Sequence, residues 1–204
     1  MSPINLGPLR EGVRTPTDPL AALDNRRSLP PMQLDAPGPD DATLLRLLQS
    51  AVRVPDHGKR VPFRFVMLRG DARHAFGERL AARSLARDPN ASEAVIEKDR
   101  ARFSHAPLVI AVIAKLGPDE KIPAQERLLS AGCVCFGLLH AAHALGFSAV
   151  WLTGWAAYDV EVGRWLGLGE DEHVVGFIHI GTPKLEAPER DRPDARALLS
   201  EWRP

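Results

Sequence analysis

Net charge and cysteine are both scarce in this sequence, and each scarcity closes off a class of function. Along 204 residues, 26 Lys and Arg balance 26 Asp and Glu, so no global field draws the chain to nucleic acid or to an anionic membrane. The two cysteines, Cys133 and Cys135, stand two apart in an apolar, helical stretch. Their side chains point to different faces there and cannot form an unstrained disulfide, so a reducing, cytoplasmic setting is expected. Motifs are missing too. No G-x-G-x-x-G follows a strand and no G-x-x-x-x-G-K-[ST] occurs, which removes a Rossmann dinucleotide site and a P-loop. Without a G-x-S-x-G there is no nucleophile elbow either.

The amino-terminal stretch has no basic run leading into an apolar core, so it does not read as a secretory signal. Its prolines and glycines predict a loosely ordered extension over 1–17, ahead of a single domain over 18–204. The uncharged run over 128–158 is long enough to span a bilayer. Ser130, Gly132, His140, His143, Gly146 and Ser148 interrupt it, and Gly146 is a natural helix stop. A buried helix followed by a buried strand accounts for the run, and no membrane partner is expected.

Hydrophobic periodicity supplies the elements. Asp18 as cap and Pro19 at the first helical position start a short helix that ends near "NRRS". A second begins at Asp40 or Asp41, carries Leu44, Leu45, Leu48 and Val52 at helical spacing, and stops before Pro55. "FRFVML" alternates as a half-buried strand, and a third helix follows it. Polar residues 88–103 have a helical period and suggest a mobile cover that selects substrates. "APLVIAVIAK" is a strand buried on both faces. The longest helix, 123–145, is too apolar all round for a surface element and needs cover on several sides, as a two-fold interface would provide. "FSAVWL" and "HVVGFIHIG" are strands with a short helix between them, and the sum is an α+β fold.

Three stretches carry candidate chemistry. In "NRRS", an extended exit from the helix puts Arg26 and Ser28 on one side and Arg27 on the other. That pair suits a phosphate clamp, but arginines also complement the negative end of a helix dipole, and both roles stay open here. The loop "RVPDHGKRVPF" gathers Arg53, His57, Lys59 and Arg60, which either bind an anion or an electron-rich ring edge or form a solvated basic loop. "GFSAVWLTGWAAYD" ends a strand in Trp151, Leu152, Thr153, Gly154 and Trp155, offering backbone N–H groups to a flat ligand or simply two core tryptophans and a turn. His140 and His143 share a helix face, yet no carboxylate or cysteine joins them in register, so no metal site is expected.

In their order along the chain, "NRRS", "VPDHGKRVPF", "SAGCVCFGLLHAAHALGFSAVWLTG" and "VVGFIHIGTP" resemble the FMN-dependent nitroreductase family, particularly its compact bacterial members. The resemblance implies a homodimeric α+β fold with a central, mainly antiparallel sheet flanked by helices. It implies that Arg26, Arg27 and Ser28 hold the phosphate and ribityl chain of FMN, that Arg53 and His57 reach the flavin from the partner subunit, and that Trp151, Leu152, Thr153 and Gly154 line the isoalloxazine. Ala141, Ala142, His143, Ala144, Leu145 and Gly146 match a stretch associated with the nicotinamide nucleotide. Lys59 and Val61 stand where many members have asparagine and glutamine, and Arg190 and Arg192 match a carboxyl-terminal phosphate grip loosely. The implied activity is transfer of hydride from NADH or NADPH through FMN to an electron-poor acceptor such as a nitroaromatic or quinone, in ping-pong order, with no catalytic side chain. The other readings are an FMN carrier or sensor with little turnover and an interaction domain without a cofactor.

Overall fold

The structure, a computed structural model, describes residues 20–203. The expected extension over 1–17 and the Asp18–Pro19 helix start lie outside the described residues. The elements in chain order are α1 (Ala21–Asp24), β1 (Leu34–Asp35), α2 (Asp41–Ala51), β2 (Phe63–Arg69), α3 (Asp71–Arg87), α4 (Glu93–Ala101), β3 (Leu108–Lys115), α5 (Ala124–Ala144), β4 (Ser148–Leu152), α6 (Val160–Trp165), β5 (Glu172–Pro183) and α7 (Ala195–Leu198).

Local chemistry explains the ends that matter for the site. The Asp40 carboxylate accepts the Thr43 N–H at 2.8 Å and caps α2, whose Leu44, Leu47 and Ala51 turn inward. Gly146, at a φ of +83°, closes α5, and the N–H groups of Leu145, Gly146 and Phe147 return to carbonyls of its last turn.

Every strand pairing is antiparallel. β3 lies between β2 and β5, β4 pairs with the other edge of β5, and β1 pairs with the far end of β5. β3 is buried from Leu108 to Ala114, and its alternation separates two cores. Leu108, Ile110, Val112 and Ala114 pack with Leu47 of α2 and Val134 and Leu138 of α5. Val109, Ala111 and Ile113 pack with Phe76, Leu80, Phe103, Val162 and Phe177 on the opposite face. Burial of each large side chain contributes about 1.5–3 kcal/mol.

α5 is long and apolar enough, by length and composition, to cross a membrane. Its Ala131, Val134, Cys135, Leu138, Leu139 and Ala142 are nonetheless buried against the sheet and α2. Leu129, Cys133 and Phe136 form an exposed stripe on its other side.

The segment expected as a mobile cover is packed into the protein. α4 crosses α3 so closely that a β-carbon at position 77 would lie 2.2 Å from the Arg100 carbonyl oxygen. Asp99 and Phe103 are buried. The polar period concealed these inward-facing residues, because their partners come from distant parts of the chain.

Arg64 of β2 grips Glu172 of β5 through two bonds, Nε to Oε1 at 2.8 Å and Nη2 to Oε2 at 2.6 Å. These bonds, with a further one from the Gly169 N–H, bring the Glu172 carboxyl down from 4.5 to about 2. A depressed folded-state pKa means that this contribution is complete above the unfolded value and is lost as pH falls from about 4.5 towards 2. Glu172→Gln is expected to lower the urea midpoint at pH 7 and to flatten its decline across that acid window. Parallel pH profiles for variant and parent would contradict the assignment.

Candidate functional site

The end of α1 gives its two arginines different work. Arg27 donates to the carbonyl oxygens of Asp24 and Arg26 and pairs with Glu189 of the carboxyl-terminal segment. Arg26 leaves the helix end and donates from Nη1 to Ser28 Oγ at 3.2 Å. It shares an open cleft of about 550 Å³ with Leu23, Asp24, Arg27, Phe136, Glu189, Arg190 and Arg192. Burial first, and then Arg192, Arg27 and Arg190, lower the Arg26 pKa. Asp24 and Glu189 answer only part of the charge of the four arginines, so the cleft suits an anion with several acceptor oxygens.

Arg53 lies elsewhere, in a groove of about 480 Å³ between α2 and α5, with Arg46, Cys133, Phe136, Gly137 and His140. The His140 ring stacks on Phe136 at an interplanar angle of 13°. His57 Nδ1 lies 2.7 Å from Glu126 Oε2 at the start of α5. The loop after it winds around Asp56, which accepts the N–H groups of Arg60 and Val61 at 3.0 and 2.8 Å. Lys59 and Val61 have φ values of +52° and +48°. For a β-branched valine this is a strained conformation that the surrounding bonds must hold.

The third group sits at the end of β4. The Trp151 indole lies on the backbone of Gly176, where a β-carbon would approach Nε1 to 1.9 Å, and its N–H donates to the Val175 carbonyl at 3.2 Å. The side chain therefore lies on the sheet, yet at 37% exposed it is not the core tryptophan of the other reading. Leu152 and Thr153 are half-buried and Gly154 is exposed at a φ of +62°. Among the described residues, the Thr153 and Gly154 N–H groups donate to no strand or turn. They remain available to an incoming acceptor.

The expected nicotinamide stretch forms the last turn of α5. Ala141 and Ala142 are buried, while Ala144 and Leu145 face the Arg53 groove and His143 and Gly146 face a second cleft beside Arg27. Burial, followed by Arg26, His140 and Arg27, lowers the His143 pKa and favours the neutral ring.

The chain brings Arg26 and Ser28 together but keeps Arg53 and His57 apart from the end of β4. Gly137 packs against Ala51 of α2, whereas Gly132 faces Trp151 of β4, so the two groups flank α5 on different sides. Phe136 borders both the Arg26 cleft and the Arg53 groove. Phe136 and Arg46 are assigned no role by the sequence motifs, yet both line these cavities. The helical spacing of Leu129, Cys133, Phe136 and His140 contained a usable signal, a stripe of one face continuing into the loop residues.

The Nitroreductase family profile matches residues 24–182. The Escherichia coli (strain K12) protein YdjA, whose name is "Putative NAD(P)H nitroreductase", is 34% identical over 170 residues, covering 83% of this chain and 91% of that protein. A Haemophilus influenzae protein with that description is 34% identical over 175 residues, covering 85% of this chain and 92% of its own. Among solved structures, a nitroreductase-like family protein from Bacillus cereus superposes with a TM-score of 0.75 at 20% identity, covering 89% of this chain and 94% of the other. A Bacteroides fragilis nitroreductase with bound FMN gives 0.66 at 17%, covering 90% and 98%. The structural likenesses support the α+β fold, and the profile match with the sequence relatives establishes that this chain belongs to the nitroreductase family.

Proposed function

We propose that this protein is an NAD(P)H-dependent FMN oxidoreductase whose flavin sites are built between two copies of the chain. The observation that carries the proposal is that the cation groups are split between two cavities: Arg26, hydrogen-bonded to Ser28, lines the cleft at the end of α1, whereas Arg53 lines the groove between α2 and α5 and His57 pairs with Glu126 at the start of α5. Two-fold pairing through the exposed Leu129, Cys133 and Phe136 stripe would cover apolar surface and set one copy's Arg53 loop against the other's Arg26 cleft.

FMN fits the donor set. Its phosphate needs charge-assisted donors, which Arg26, Ser28, Arg190 and Arg192 supply, while Arg27 holds the carboxyl-terminal segment through Glu189. The backbone from Trp151 to Gly154 would follow the isoalloxazine, with the free Thr153 and Gly154 N–H groups facing acceptor atoms of the ring. The partner's copies of Arg53 and His57 would close the site. His143, Ala144, Leu145 and Gly146 are the part of the nicotinamide stretch with surface to offer a nucleotide.

When bound, FMN supplies hydride transfer from NADH or NADPH and onward reduction of an electron-poor acceptor such as a nitroaromatic or quinone, in ping-pong order. The chain's own part is to bind, orient and exclude water, and to present positive charge and N–H donors where electron density collects. No side chain is assigned as nucleophile, acid or base. The free cysteines agree with a cytoplasmic setting.

An absorption spectrum before and after FMN addition and desalting tests the cofactor assignment. One retained FMN per chain is expected, followed by multiple turnovers with NADH or NADPH and a quinone. A protein that stays colourless contradicts the assignment, and a flavoprotein without turnover favours the carrier or sensor.

A further inference from the structure

Behind the free Thr153 and Gly154 N–H groups lies a buried ionic network that the family assignment does not require. Asp99, at the carboxyl-terminal end of α4, is only 3% exposed. Its carboxylate accepts the Trp155 indole N–H, with Nε1 3.1 Å from both oxygens, and also accepts from Arg102 and from the Ser84 hydroxyl. Arg102 extends over Gly154, where a β-carbon would lie 2.8 Å from Nη1. Arg87 covers the other part of this turn, its guanidinium carbon 4.4 Å from the Trp155 ring centroid. The same turn ends at Asp159, which caps α6 and takes a two-pronged contact from Arg83 at 3.0–3.1 Å.

The turn is therefore held at residues 155 and 159 and bounded by Arg102 at 154. Among the described residues, the N–H groups one and two positions before Trp155 have no backbone partner. Burying a carboxylate and a guanidinium is expensive, and an apolar contact would join α4 to a turn at least as well. Such a pair offers directional fixation, which an apolar contact lacks.

We propose that Asp99, Arg102 and Trp155 are positioning residues for the flavin-facing turn, fixing where the Thr153 and Gly154 N–H groups meet the ring. The inference rests on the reading that the isoalloxazine lies along residues 151–154. It gives the segment over 88–103 a role in cofactor geometry in place of substrate cover.

The test uses full-length protein and the variants Trp155→Phe and Arg102→Ala, measuring FMN Kd, the visible circular dichroism of bound FMN, its reduction potential and the melting temperature of the apoprotein. Trp155→Phe removes one N–H and keeps an aromatic ring under Arg87, so it reports even if Arg102→Ala does not fold. The expected result for Trp155→Phe is roughly 2- to 12-fold weaker FMN binding, the equivalent of one hydrogen bond of about 0.5–1.5 kcal/mol, with an altered dichroic band and a shifted potential. A purely structural network predicts a lower apoprotein melting temperature with Kd, dichroism and potential unchanged, and that result overturns the proposal. If the parent protein binds no FMN, the site assignment itself fails and the positioning role falls with it. A parent that binds FMN beside an unaltered variant rejects the positioning role alone.

Discussion

Arg26→Ala is expected to weaken FMN binding roughly 10- to 150-fold, the loss of about 1.5–3 kcal/mol that attends a hydrogen bond to a charged group. The apoprotein is expected to be as stable as its parent, or slightly more so. Arg26 is partly desolvated and faces Arg192, Arg27 and Arg190, all of which disfavour its charge while no anion is present. Its hydrogen bond to the Ser28 hydroxyl offsets only part of that penalty. Arg27→Ala has the opposite signature. That guanidinium closes the end of α1 and ties down Glu189, so its removal lowers apoprotein stability and acts on flavin through the loosened segment bearing Arg190 and Arg192. Isothermal titration with FMN and apoprotein melting curves of both variants separate the roles. Equal losses of apoprotein stability with unchanged FMN affinity would return both arginines to the helix end.

Leu129→Glu has the second large expected effect, on assembly. Leu129 is 62% exposed in the single chain, so a glutamate there leaves the protomer core undisturbed. In a two-fold interface the substitution is present in both copies. At about 3 kcal/mol per uncompensated buried carboxylate, the pair costs about 6 kcal/mol, on the order of 10⁴ in the dimer Kd. The variant is expected to sediment as a folded monomer and to lose FMN together with dimerisation, although no assigned flavin residue has changed. A monomer that keeps FMN at parental affinity would show that each chain builds its site alone.

Much of the fold was legible because its signals are local. The unbroken apolar run of β3 declared burial on both faces, Asp40 or Asp41 announced the start of α2, and Gly146 marked the end of α5. The two-residue β1 was not legible, since it exists only through pairing with Thr182 and Pro183. That same pairing extends β5 beyond the apolar run expected for it. Asp99 was hidden for a related reason: its polarity suggested an exposed helix, while the indole that buries it is 56 residues away.

The candidate site was legible as residue types and only partly as geometry. The alternation in "NRRS" set Arg26 with Ser28, as the structure has it, although Arg27 borders the same cleft. It could not say that Arg27 would also hold Glu189, far along the chain. Nor could spacing reveal the positive φ values of Lys59 and Val61, which follow from the loop closing around Asp56.

The shared site is tested most directly by subunit complementation. Chains carrying Arg26→Ala and Arg53→Ala are given different affinity tags, co-expressed, and purified as heterodimers through both tags. If each site takes Arg26 from one chain and Arg53 from its partner, both defects fall in one site and the other is intact. The heterodimer should then bind one FMN per dimer at parental affinity, while each variant homodimer binds weakly. A heterodimer with no parental-affinity site would place Arg26 and Arg53 of the same chain around the same flavin and contradict the account.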